Sequence, residues 1–74
     1  RDTSSREKVT TDAFEYKFML SGHLDYEIGD DMLHLAPGDS LFYNGRIPHV
    51  PHNRSEVPAR MLVVYIHDTL LNNE

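Results

Sequence analysis

The chain has no cysteine and no tryptophan, and only seven of its 74 residues are lysine or arginine. Without cysteine there is no disulfide framework, no thiolate metal site and no cysteine nucleophile. The few basic residues are scattered and outnumbered by twelve acidic ones, for a formal net charge of -5. That balance argues against a surface that grips a phosphate backbone, which needs clustered cations. No apolar run approaches the roughly 20 residues required to span a bilayer. The start, Arg1 to Lys8, is charged rather than signal-like. The expectation is therefore a cytoplasmic chain that contacts no membrane and, in this segment, no nucleic acid. Helical periodicity, internal repeats and low-complexity stretches are also missing. One small domain remains, whose core alone gives marginal stability, so self-association is the expected support.

What is present is β-sheet patterning. Phe14, Tyr16, Phe18 and Leu20 alternate with Glu15, Lys17 and Met19, a period of two that predicts a strand. Leu24, Tyr26 and Ile28 alternate with His23, Asp25 and Glu27, which predicts a second strand with one buried and one solvated face. Gly29-Asp30 suits a tight hairpin turn, with Met32 to Leu35 as the returning strand. Pro37-Gly38 fits a type II turn, because proline presets φ at the second position and glycine accepts positive φ at the third. Leu41 to Tyr43 forms a short strand, Asn44-Gly45 another turn, and Pro48 and Pro51 punctuate Ile47 to His52. Ala59 to Ile66 is apolar on both faces, which predicts burial between two layers. The tail from His67 reads as a short turn or a frayed end.

Two stretches carry more than composition. Glu15 to Gly22 (EYKFMLSG) reads E-x6-G, and Gly38 to Asn53 (GDSLFYNGRIPHVPHN) reads G-x10-H-x3-N, with LAPGDS turning into the second. Together they resemble the two conserved motifs of the cupin superfamily, over roughly Phe14 to Ile66. The resemblance implies an all-β fold, a small antiparallel double-sheet jelly-roll barrel with its pocket between the sheets. It makes residues 13–74 a single barrel domain and residues 1–12 a polar lead-in or edge strand. Cupins also carry an H-x-H pair shortly before the glutamate, which with that glutamate and the later histidine makes a metal site. Here Val9 and Thr11, or Lys8 and Thr10, stand at those positions. A second departure is Asn44 and Arg46, where the family usually has proline and glycine.

The resemblance thus leaves Glu15 and His49 as the two surviving ligand positions, with His52 the next candidate. Two ligands give weak affinity, where a site normally takes three or four, so no cofactor is expected, a divalent transition metal being the exception to test. Lys17 shares the face of Glu15, because residues two apart in a strand point the same way. Its ammonium can offset the carboxylate where a metal ion would otherwise do so, or its head can reach water at the barrel mouth. Tyr43 alternates with Phe42, and one of them must face the core. Arg46 is suited to grip a carboxylate or phosphate bidentately, or is a solvated turn charge. The expected ligand-binding set is Glu15, Lys17, Tyr43, Arg46 and His49, with no catalytic residue assigned. His23, His34 and His67 read as solvated or strand-edge positions.

The run GDSLFYNGRIPHVPHNRSEVPARMLVVYIHD is similar to the end of the cupin sensor domain of bacterial helix-turn-helix transcription regulators. This implies a non-catalytic, effector-sensing domain that takes a small anionic or amphipathic organic molecule and pairs as a homodimer, with a DNA-binding segment upstream of Arg1. The alternatives are a small metal-dependent cupin enzyme of dioxygenase or isomerase type, disfavoured by Val9 and Thr11, and a stand-alone binding cupin.

Overall fold

The structure, a computed structural model, describes residues 7–67. Six strands follow one another: β1 (Phe14–Ser21), β2 (Leu24–Ile28), β3 (Asp31–Leu35), β4 (Ser40–Asn44), β5 (His49–His52) and β6 (Arg60–Ile66). They form two three-stranded sheets, ordered β4-β1-β6 and β3-β2-β5. Every pairing is antiparallel. Among the described residues there is no helix, and so none long and apolar enough to cross a membrane. This is the all-β, double-sheet arrangement that the strand patterning and the two motifs predict.

The turns account for the topology. Gly29-Asp30 is the two-residue loop between Ile28 and Asp31, which are paired across the β2–β3 hairpin. Pro37-Gly38 turns as expected: Gly38 takes a φ of 91°, and the Asp39 amide donates to the Ala36 carbonyl at 2.9 Å, closing a four-residue turn. Between β4 and β5 the Ile47 amide donates to the Asn44 carbonyl at 3.0 Å. The Asn44 side chain also accepts from the Arg46 amide at 3.0 Å, an Asx-type bond that tightens the turn.

In β1 the alternation has a less obvious sense. Glu15, Lys17 and Met19 point inward and are buried, while Phe14, Tyr16 and Phe18 lie half-buried on the outer face. Met19 packs with Leu24, Tyr26, Ile28, Leu35 and Tyr43 to form the core. In β4 Tyr43 faces this core and Phe42 faces out. Upstream, Val9 and His49 exchange backbone hydrogen bonds of 2.9 Å in both directions, an isolated bridge to the start of β5. The part of the lead-in before residue 7, and the tail beyond His67, lie outside the described residues.

One expectation is corrected. The run ending at Ile66 is not buried between layers: among the described residues β6 is an edge strand that pairs with β1 alone, and Leu62, Val64, Tyr65 and Ile66 are all exposed. Apolar residues on both faces here mark an edge strand whose outer face (Leu62, Val64, Ile66) is exposed and whose inner face is half-buried at Met61 and Val63, with Met61 against the core, and exposed at Tyr65. Tyr65 sits opposite inward-facing Glu15, and Leu33 sits opposite inward-facing Tyr26. Their exposures of 53% and 39% show that, among the described residues, the rim between the sheets is exposed on the β6 and β3 side. On the other side the sheets close, with the Tyr43 and His49 rings 5.0 Å apart, edge to face.

Candidate functional site

Glu15 is 1% exposed and sits at the centre of a polar cluster inside the barrel. A buried carboxylate is tolerable only when its oxygens are hydrogen-bonded and its charge is matched. Both conditions are met. Oε1 accepts from the Tyr43 hydroxyl at 2.7 Å and lies 2.8 Å from the Lys17 ammonium. Oε2 accepts a short bond from the Thr11 hydroxyl. The His49 Nε2 lies 3.3 Å from Oε2.

Strand register assembles this group. Glu15 is directly opposite Tyr43 in the β1–β4 ladder, so both side chains leave the sheet on the inner face. Lys17 is two residues on from Glu15 and projects the same way. Its ammonium donates to the Tyr26 hydroxyl at 2.6 Å across the gap to the other sheet, and lies 4.9 Å from the Tyr26 ring centroid and 5.8 Å from that of Tyr43. His49 opens β5, and its Nδ1 meets the Ile47 carbonyl at 2.9 Å. A carbonyl can only accept, so Nδ1 carries a proton and Nε2 is the nitrogen turned to Glu15. That contact becomes a hydrogen bond when Nε2 is protonated as well.

The electrostatics follow from these contacts. Burial alone would push the Glu15 carboxyl up, but hydrogen bonds from Lys17, Thr11 and Tyr43 outweigh it and hold the group below its ordinary value. Burial would likewise push Lys17 down, and its bonds to Glu15 and Tyr26 instead hold it above its ordinary value. The Tyr43 hydroxyl is pushed up by burial and by donation to Glu15. At neutral pH the interior therefore contains a carboxylate, an ammonium and a neutral phenol. Among the described residues no buried side-chain nitrogen or oxygen lacks a partner.

Four of the five residues expected to bind a ligand are thus together: Glu15, Lys17, Tyr43 and His49. Arg46 is placed elsewhere, with its Nη2 2.9 Å and its Nε 3.0 Å from Asp12 Oδ1, and its guanidinium 5.8 Å from the Phe14 ring on the outer side of β1. His52 does not join Glu15 either; it points to the outer face, where its Nε2 is 3.1 Å from Glu27 Oε1. Three contributors were not legible as site residues. Thr11 donates to Glu15 from one of the positions at which the motif expects an imidazole. Tyr26, read as core by alternation, is also the second acceptor for Lys17. Gly45, read only as a turn signal, passes so close to the site that a Cβ there would collide with the Thr11 hydroxyl and the Ala13 carbonyl and come within 2.9 Å of Glu15 Oε2.

The family model of the cupin domain matches residues 2–65, most of the chain. This chain belongs to the cupin family. No curated protein and no solved structure matches it. The cupin's own residues fit a metal poorly at the family position: among the described residues no three histidine, aspartate or glutamate side chains converge on a point that would hold an ion. A lysine ammonium already occupies the place beside the glutamate where a cation would act.

Apart from this cluster, the cupin has a surface pocket of about 170 Å³ at the outer end of β2, lined among others by His23, Asp25, His34, His52 and Arg54. It is not the space between the sheets. The interior cluster carries the matched charges and the bound polar atoms, so the candidate function is placed there and not in the outer concavity.

Proposed function

We propose that this cupin binds a small organic effector between its sheets and releases it unchanged, as the regulatory part of a bacterial transcription regulator. The observation that carries this reading is the 2.8 Å contact between the Lys17 ammonium and Glu15 Oε1 in the barrel interior. An ammonium there neutralises the carboxylate and removes the need for a metal, and with it the Lewis-acid or redox chemistry a metal would supply. Every oxygen of Glu15 is already bonded, which leaves no idle general base aimed at a substrate. Glu15 and Lys17 are themselves buried, so in this reading the exposed rim at Tyr65 and Leu33 parts to admit the molecule to this polar floor. An amphipathic molecule suits it, its apolar body against Met61 and Val63 and an anionic group reaching the free side of Lys17. Because Arg46 is held by Asp12, the preference for an anion rests on Lys17.

The domain pairs as a two-fold dimer in this proposal, and the cytoplasm is its compartment. The outer face of the first sheet supports the pairing, since Phe14, Tyr16, Phe18, Phe42, Leu62 and Val64 are brought together by register on a surface that nothing covers among the described residues. The test is a thermal-shift screen of metabolites, because a ligand that binds only the folded state raises its melting temperature by mass action. Anionic or amphipathic compounds should stabilise the protein and be recovered intact. Consumption of the stabilising compounds would overturn the non-catalytic reading, and stabilisation by cations alone would overturn the anionic one. For the regulatory role, the same compounds should change DNA binding by the full-length protein; a full-length protein with no DNA-binding segment would refute it.

A further inference from the structure

The outer pocket holds a group of side chains that the interior site does not use. His23 immediately precedes β2 and His34 lies in β3, directly opposite Asp25. The His23 Nδ1 and the His34 Nε2 are 3.2 Å apart, and the ring centroids are separated by 5.3 Å with planes within 25° of each other. Behind His34, its Nδ1 is 2.7 Å from Asp25 Oδ1. Asp25 is fixed in turn by Arg54, whose Nε donates to Oδ2 at 3.0 Å. The hydrogen bond from His34, ahead of that from Arg54, holds the Asp25 carboxyl below its ordinary value, so it is an anion that accepts from both.

This chain of bonds sets a tautomer. A carboxylate only accepts, so His34 Nδ1 carries the proton and its Nε2 lone pair accepts from His23 Nδ1. That arrangement, an imidazole oriented and made more basic by a carboxylate on its far nitrogen, is what metal-ligating histidines use. His23 supplies the second donor. When it shifts to the tautomer with hydrogen on Nε2, its Nδ1 also carries a lone pair, 3.2 Å from that of His34, with no net loss of a proton, and a small rotation of the exposed rings turns both toward one ion. With metal–nitrogen bonds of about 2.0–2.1 Å, nitrogens 3.2 Å apart subtend roughly 100° at the ion, between the cis angle of an octahedron and the tetrahedral angle.

We propose that His23 and His34 form a surface site for a divalent transition metal such as nickel or zinc, clipping the start of β2 to β3, with Asp25 orienting His34 and water completing the coordination. With two protein donors the ion is held weakly and exchanges. The side chain of His34 is 59% exposed, so the ion enters directly from solvent. The site is independent of the interior cluster and does not rest on the effector-binding reading.

Calorimetric titration of the purified protein with nickel or zinc chloride tests this. One equivalent should bind, with at least tenfold weaker affinity in His23→Ala and in His34→Ala, and about ten- to hundredfold weaker affinity in Asp25→Asn. In the unsubstituted protein, nickel should broaden the ring proton resonances of His23 and His34 before those of His49. Absence of saturable binding, undiminished binding in the double variant, or broadening centred on His49 would overturn the proposal. Asp25→Asn binding as tightly as the parent would overturn the orienting role of Asp25.

Discussion

A buried lysine beside a buried glutamate is tolerable only as a pair. Lys17 and Glu15 are 5% and 1% exposed, and their contact is backed by Thr11, Tyr43 and Tyr26. Removing one partner strands the other charge, whereas replacing both by neutral groups of similar shape removes the penalty along with the attraction. Lys17→Met should therefore cost about 3–5 kcal/mol of folding stability, measured by urea denaturation. Glu15→Gln combined with Lys17→Met should cost less than the sum of the two single changes. Additive losses would mean that the two residues do not act as one unit.

At the scale of the element, strand identity was legible because period-two alternation survives even where the inner face is polar. Glu15, Lys17, Tyr43 and His49 could be grouped from sequence, since strand position and motif register fix where each side chain points. Arg46 could not, because a turn imposes no side-chain period, and its partner Asp12 is distant in sequence. The bonds from Thr11 to Glu15 and from Lys17 to Tyr26 depend on cross-strand and cross-sheet approach, which alternation does not encode. The His23–His34 pair had the same cause: each histidine read as an ordinary polar position until the β2–β3 register set them side by side. In β6, apolar residues on both faces were compatible with a sandwiched strand or with an edge left uncovered, and pattern alone does not separate these. The structure shows an edge strand half-buried on its inner face and exposed on its outer face, which continues that of β1. A charge placed there, as Val64→Lys, should convert the proposed dimer to a monomer in sedimentation at high micromolar concentration while leaving the far-ultraviolet dichroism unchanged. A parent protein already monomeric under those conditions would contradict the pairing.

For the whole molecule, the interior cluster sets a window of stability in pH. Glu15 is held below its ordinary value of 4.5 in the fold, so its contribution is complete above that pH and is lost as pH falls through the lower folded value. Lys17 and Tyr43 are held above their ordinary values of 10.5 and 10.0, so their contributions are complete below about pH 10 and are lost as pH rises beyond it. Denaturation midpoints should be flat between these limits with respect to this cluster. In Lys17→Met the acid limb should change, because protonating a stranded Glu15 relieves it. The central claim is that this cupin has put an ammonium, held by Glu15, Tyr26 and neighbouring rings, where the family's motif places a metal. Elemental analysis of the purified protein after exhaustive dialysis tests it most directly, since the weak outer site empties under those conditions. The account predicts no stoichiometric iron, manganese, nickel or zinc; close to one equivalent, lost on His49→Ala, would contradict it.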